Sequence, residues 1–270
     1  MSKENLKNYE CVFREKGFFG GDQRLPEKEP LKYIDILKKY DKYSSDEQAA
    51  DFLKAFSSEG CGYVALVNSI FLYFFGHEEA FRKTFGYDMY DEAGNMNFNQ
   101  LALDFYCATD NHNRFLLFDY IDPYEDKPNK PGYGITIETS KWRFERYMKK
   151  HGIHAKLMPF RLKVDDIEKR LKKGPIIVSV RPTILYDRSG NTIEETKGGH
   201  TMSVVGVSEN GLVRVSSWGK EYYVKSGTYA QYEYYQQVFF RDSLEDDSDK
   251  VKKVSFFPDH EIKHNWQKCH

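Results

Sequence analysis

A cysteine at the start of an apolar helix is the first residue of this sequence whose position favours chemistry. A polar turn at residues 57–60 precedes Cys61, and an apolar run at 63–75 follows it. A thiol attacks as the thiolate, and the positive end of a helix dipole lowers the pKa of a nearby thiol. The sequence therefore favours Cys61 as a nucleophile, although a single Cys before an apolar helix more often fills a core.

A second set of candidates lies further along the chain. Two glycines at 198–199 precede His200, which opens a β-branched run typical of a core strand. Glycines beside a histidine leave room for a substrate backbone. The segment 216–219, Ser-Ser-Trp-Gly, ends the next predicted strand, and the turn signal Asn-Gly at 210–211 separates the two strands. Because a hairpin brings its strands side by side, we expect His200 and Ser216 in the same region.

These segments resemble the papain-like cysteine peptidase superfamily and, more loosely, its bacterial double-glycine (C39-like) branch. The matching pieces are Gly-Cys-Gly-Tyr at 60–63, Gly-His-Thr at 199–201 and Ser-Ser-Trp-Gly at 216–219, in the family's order. The resemblance covers residues 46–226. It implies a two-lobe papain-like fold and a thiol hydrolase that cleaves a peptide or isopeptide bond through an acyl-enzyme.

The resemblance also implies a role for each matched residue. Cys61 takes the place of the nucleophile, and its backbone N–H takes that of an oxyanion donor. His200 takes the place of the general base, which accepts the thiol proton and later protonates the leaving amine. Ser216 takes the place of the residue that orients the imidazole, and Trp218 that of the residue that shields this contact from water.

Two positions depart from the family's pattern. Ser216 stands where papain relatives have Asn and the double-glycine branch has Asp, so we expect a weakly oriented triad that acts as a dyad. Ala55 stands at the position of the oxyanion Gln, six residues before the nucleophile, with Ser57 or Ser58 as the alternative donor. Losing one such donor typically costs about 100–1000-fold in rate. Two further functions therefore stay open: a transglutaminase or deamidase, and a catalytically silent papain-like module that binds a peptide.

The elements that position these residues change type along the chain. Up to residue 152 apolar residues recur at helical spacing, and afterwards short β-branched runs are separated by Gly, Asn and Pro. Helices followed by strands predict an α+β fold. We expect an N-terminal arm with a short helix at 1–45 and an acidic loop and tail at 241–270. Between them lies the catalytic domain, 46–240, with a helical lobe at 46–152 and an antiparallel β lobe at 153–240.

Composition narrows the class of partner. Forty Lys and Arg against 41 Asp and Glu give a net charge of -1, which lacks the broad basic field of nucleic-acid-binding proteins. No run reaches the roughly 20 apolar residues of a spanning helix, and the first residues show no signal peptide. We expect a peptide or protein substrate, no nucleic acid, no membrane insertion and a cytoplasmic location by default, with signal-independent export left open. The sequence does not indicate the oligomeric state.

The remaining cysteines and histidines predict neither a metal nor a cofactor. The 4 cysteines lie far apart without a C-x-x-C pair, so we expect reduced thiols rather than a disulfide framework or a zinc ribbon. Residues 260–264 match H-E-x-x-H, a zinc-binding pattern when it lies on a helix. This match lies close to the end of the chain, and Cys269 and His270 would complete a site only if the tail folded back.

Overall fold

The fold is described from a computed structural model, which covers residues 19–109, 135, 137–241 and two short strands between 112 and 121. Within these residues there are eight α-helices: α1 (Leu25–Lys28), α2 (Ile34–Lys39), α3 (Asp46–Glu59), α4 (Cys61–Phe74), α5 (Glu78–Phe85), α6 (Phe98–Thr109), α7 (Ile137–Lys150) and α8 (Ile167–Leu171). Short 3₁₀ turns at Pro30–Tyr33 and Val164–Asp166 precede α2 and α8.

The strands follow mostly after the helices. They are β1 (His112–Phe115), β2 (Phe118–Ile121), β3 (Ala155–Phe160), β4 (Ile176–Arg181), β5 (Thr183–Tyr186), β6 (Thr192–Thr196), β7 (His200–Val207), β8 (Val213–Ser217), β9 (Lys220–Val224) and β10 (Tyr232–Phe240). The first two form a hairpin, and the other eight form one antiparallel sheet in the order β3-β10-β4-β7-β8-β9-β5-β6. The predicted α+β class is confirmed.

A single glycine joins the helix before the candidate nucleophile to the helix that carries it. Ser45, one of the three candidate N-caps that the sequence offers at 44–46, caps α3 by accepting a hydrogen bond from the Gln48 N–H. Gly60 then ends α3 and also occupies the N-cap position of α4. A Cβ at Gly60 would lie 2.5 Å from the carbonyl oxygen of Phe56, so a side chain there would clash with the last turn of α3. The predicted placement of Cys61 at a helix N-terminus is confirmed.

The two faces of the sheet belong to different cores. One face packs against the helices, and their shared core contains most of α4 together with Leu157, Ile177 and Val238 from the sheet. The other face has its own core of strand residues, closed by α8. Successive side chains of β7 alternate between the two faces of the sheet. Ser203 donates to the carbonyl of Ala65 in α4, while Met202 lies in the second core.

The segment at 19–24 is part of this packed structure, although the sequence predicts an arm outside the catalytic unit. The Phe19 N–H donates to the Gly219 carbonyl at 2.8 Å, and the Gly219 N–H donates to the Gly21 carbonyl at 3.0 Å. Residues 19–23 are buried. The start of the described chain therefore lies on the turn between β8 and β9. The tail at 242–270, with its H-E-x-x-H match, and Cys11 lie outside the described residues.

Candidate active site

The thiol of Cys61 lies next to the start of β7. Cys61 is the first residue of α4 and is partly exposed. The backbone N–H and the hydroxyl of Thr201 and the Gly62 N–H lie close enough to the sulfur to lower the pKa of the thiol. Burial nevertheless raises the pKa of the Cys61 thiol, and the charge of Glu59 adds to the effect, so these outweigh the three donors. The thiol is protonated at neutral pH, whereas the helix start alone predicts a lowered pKa.

His200, the first residue of β7, is enclosed by the β8–β9 turn. Its Nε2 lies 2.6 Å from Oγ of Ser217, and its ring stacks on Trp218 with the ring centroids 4.4 Å apart. The side chain is buried, with 6% of its surface exposed. Burial lowers the pKa of His200 to about 3, and the nearby charge of Arg24 contributes to this shift. The imidazole is therefore neutral at physiological pH.

The two candidate catalytic groups lie at the same end of β7 and on opposite sides of it. Thr201 is directed at Cys61, and successive side chains of a strand point to opposite faces. His200 accordingly shares its face with Met202 of the second core. Among the residues that the structure describes, no hydrogen bond joins the Cys61 sulfur to the His200 imidazole. The expected Cys–His pair is therefore not engaged in this arrangement.

Ser216 does not orient His200, and Ser217 occupies that place instead. The Ser216 hydroxyl donates to the Phe19 carbonyl at 2.5 Å and accepts from the Asn68 amide at 3.5 Å. In the register of the hairpin Ser216 lies opposite Ser203, on the face that packs against α4. The next residue, Ser217, therefore points to the face of His200. Counting the strand alternation back from the Asn-Gly turn would have given Ser216, because the register shift between Val204 and Gly206 reverses the face of every residue beyond it.

Asn68 links the elements around the site, and the sequence analysis did not single it out. It lies in the apolar middle of α4 with 1% of its surface exposed. Its Oδ1 accepts from the Gly21 N–H at 3.1 Å, and its Nδ2 donates to the Ser203 hydroxyl at 3.1 Å as well as to Ser216. Helix α4, strands β7 and β8 and the 19–24 segment thus share one buried amide. A lone Asn in an apolar run is the signal that could have found it.

Two residues with positive φ form the turn above His200. Trp218 has φ +49° and Gly219 has φ +68°, and they connect the paired residues Ser217 and Lys220. Such a two-residue turn is of type I′, in which Asn or Gly is preferred at the first position. A bulky residue with positive φ is uncommon and marks local strain. The position of the indole over His200 therefore depends on contacts that offset this strain.

The space beside two of the glycines around the site is occupied by other side chains of the protein. A Cβ on Gly199 would overlap the Tyr232 hydroxyl, and a Cβ on Gly62 would overlap the side chain of Ile135. Around Gly198 the nearest atom is 3.7 Å away. The room beside Gly199, which the sequence analysis assigns to a substrate backbone, is therefore occupied by Tyr232 of β10.

A glutamine does reach the end of α3, but it comes from the start of the described chain. The Nε2 of Gln23 donates to the Ser57 carbonyl at 3.0 Å, and the side chain is buried. Ala55, at the position of the family's oxyanion glutamine, lies within α3. The first N–H groups of α4, beginning with that of Cys61, have no acceptor within their own helix, as at any helix start.

Neither the protein-family models nor the curated proteins contain a match to this chain. Across the described ranges, no three His, Cys, Asp or Glu side chains come together as a metal site would require. None of the described helices has the length and apolar character needed to cross a bilayer.

Proposed function

We propose that this protein is a thiol hydrolase of papain-like architecture, which cleaves a peptide or isopeptide bond through an acyl-enzyme on Cys61. One observation carries the proposal: the Cys61 sulfur at the start of a buried helix contacts Thr201, the residue next to His200. The thiol and the imidazole thus lie at the same end of β7, on neighbouring residues of the strand. Acyl transfer by a cysteine requires the imidazole to come within hydrogen-bond reach of the thiol, so the proposal needs His200 to move from Ser217 to Cys61.

In the proposed reaction His200 acts as the general base. It takes the proton of Cys61, and the thiolate attacks the carbonyl carbon of the substrate. The first N–H groups of α4 stabilise the oxyanion, and His200 returns its proton to the leaving amine. Water then hydrolyses the thioester. On this proposal the described arrangement is a resting form, because both groups are neutral and the start of β7 must rearrange to move His200 from Ser217 to the sulfur.

An epoxide probe that requires an activated thiol tests the proposal. We expect labelling of the wild type at Cys61, loss of labelling in Cys61→Ala, and a large decrease in His200→Ala. Cys107→Ala is the matched control, because Cys107 is a buried thiol on α6 away from His200. Cleavage is measured in parallel on a mixture of quenched peptides. Unchanged labelling in Cys61→Ala would exclude the assignment, and ammonia release without cleavage would point to deamidation or transglutamination.

A specific observation also favours a silent peptide-binding module of the same architecture. The thiol and the imidazole are both neutral, and among the described residues no hydrogen bond joins them. The pH dependence of iodoacetamide alkylation separates the two functions. In a hydrolase the alkylation rate of Cys61 depends on His200 and falls in His200→Ala at neutral pH. In a silent module it follows a single thiol pKa above the ordinary value, with no change in that variant.

A further inference from the structure

Arg24 contacts the turn above His200 from a segment far away in sequence. Its guanidinium carbon lies 5.1 Å from the centre of the Trp218 ring, and its Nη2 donates to the Trp218 carbonyl at 3.3 Å. The same side chain is therefore bound to both the indole and the backbone of one turn residue. The Trp218 ring in turn stacks on His200.

Asp22 fixes the guanidinium in this position. The Arg24 Nε donates to Oδ1 of Asp22 at 2.9 Å, and Nη2 donates to Oδ2 at 3.0 Å. Two parallel hydrogen bonds of this kind set the orientation of the guanidinium plane as well as its position. Asp22 is itself held, because its backbone N–H donates to the Asn99 side chain of α6 at 2.9 Å. The orientation of Arg24 therefore derives from the helical layer.

We propose that Arg24 is a positioning residue for His200. Arg24 holds the Trp218 ring over the imidazole, and the ring thereby covers the imidazole and its hydrogen bond to Ser217. Trp218 occupies a strained turn position, and the contacts with Arg24 and His200 offset that strain. Tyr222 supports the indole from β9, with an edge-to-face contact at 5.9 Å between ring centroids. This role of Arg24 does not depend on whether Cys61 is a nucleophile.

The titratable groups that face Arg24 come from three elements. Asp22 lies on the same segment as Arg24, Tyr222 lies on β9, and Glu194 lies on the exposed strand β6. All three favour the charged form of Arg24, which has a raised pKa mainly because of its hydrogen bond to Asp22. Arg24 is thus a permanent cation beside a neutral imidazole, and its geometry and its charge can be tested separately.

The test measures the exposure of Trp218 and His200 directly. Trp142 and Trp266 are first replaced by Phe, so that fluorescence quenching by acrylamide reports on Trp218. Reaction of the neutral imidazole with diethyl pyrocarbonate, followed by mass spectrometry, reports on His200. In Arg24→Gln we expect both rates to rise about two- to fivefold, the range that corresponds to a partly exposed cation–π contact. The melting temperature is recorded for every variant.

Arg170→Gln is the matched control. Arg170 lies 4.0 Å from the centre of the Phe160 ring, so this variant removes a similar contact at a different place on the sheet. We expect it to leave both rates at the wild-type level. Arg24→Lys keeps the charge but not the paired hydrogen bonds, so it should raise both rates. The pKa of His200, followed by NMR, should rise in both variants and more in Arg24→Gln, which also removes the positive charge.

Two results would overturn the proposal. One is a folded Arg24→Gln protein with wild-type quenching and modification rates. The other is an equal increase in Arg170→Gln, which would indicate general loosening. Asp22→Asn provides the same test if Arg24→Gln does not fold, because it releases the guanidinium while keeping Arg24. A smaller increase in both rates is expected in Asp22→Asn, and wild-type rates would again contradict the proposed role of Arg24.

Discussion

The hydroxyl of Ser217 lies 2.6 Å from Nε2 of His200, and both side chains are buried. This hydrogen bond leaves Nδ1 as the ring nitrogen without a partner among the described residues. Ser217 thereby sets which edge of the imidazole is available for proton transfer. The hydroxyl is uncharged, so unlike a carboxylate it orients the ring without adding a negative charge to a neutral site.

Ser217→Ala is expected to reduce His200-dependent activity about tenfold and to destabilise the fold by about 1–3 kcal/mol, because a buried ring nitrogen loses its partner. Ser216→Ala is the neighbouring control, since it removes a hydroxyl bound to Phe19 instead. We expect this control to change stability and to leave the pH dependence of labelling unchanged. Epoxide labelling and urea unfolding measure the two effects. Equal losses of His200-dependent labelling in both variants would contradict the assignment of Ser217.

The stability of the protein should depend on pH through His200. The pKa of this imidazole is about 3 in the folded chain against an ordinary value of 6.5. Between these values the unfolded chain binds a proton that the folded chain does not, so stability is complete above pH 6.5 and falls as the pH decreases towards 3. Each unit of difference corresponds to about 1.4 kcal/mol.

Urea unfolding at a series of pH values measures this dependence, and His200→Gln is the comparison. The variant keeps a polar side chain beside Ser217 but has no group that titrates. His151, whose pKa is also lowered by burial, is present in both proteins, so the difference between them isolates His200. We expect a flatter curve for the variant between pH 3 and 6.5. Parallel curves would show that His200 is not the responsible group.

The neighbouring glycines before His200 should respond differently to alanine. Gly199→Ala brings a methyl group into the Tyr232 hydroxyl, and overpacking of this kind costs about 1–3 kcal/mol. Gly198→Ala meets no atom closer than 3.7 Å and should be neutral or slightly stabilising. Thermal and urea unfolding of both variants measures the difference. Equal stability of the two would contradict the close contact with Tyr232.

Asn68→Ala should destabilise the fold and loosen the site together. It removes the partners of the Gly21 N–H and of two serine hydroxyls, and we expect a loss of about 2–4 kcal/mol. Ser69→Ala is the adjacent control, because within the described residues the Ser69 hydroxyl bonds only back to Ala65 in its own helix. Hydrogen exchange should show faster exchange at Gly21 in the Asn68 variant alone. Unchanged exchange there would separate Asn68 from the 19–24 segment.

The helices on either side of Gly60 could be predicted from the sequence, because the residues that define them are close together in the chain. The cap at Ser45, the glycine at 60 and the apolar run after Cys61 lie within one stretch of chain. Strands β3, β5, β6 and β10 were not predicted. In β6, for example, all five residues are exposed and show no alternation of apolar and polar side chains.

The details of the site depend on long-range pairing. The choice between Ser216 and Ser217 depends on the alternation of β8 relative to β7, where the register shifts between Val204 and Gly206. The role of Arg24 depends on a turn 194 residues away in sequence. Periodicity and spacing contain neither relationship, because both arise only when the sheet closes against the helical layer.

The contact between Phe19 and Ser216 has a consequence for the order in which the protein assembles. The two residues are 197 positions apart. During synthesis, the segment that contains Phe19 is therefore made long before the strand that contains Ser216. Because closing such a distant pair costs chain entropy that only late contacts repay, the candidate site should be among the last parts to form during synthesis. A nascent chain halted before β8 would hold Cys61 without the surroundings of His200.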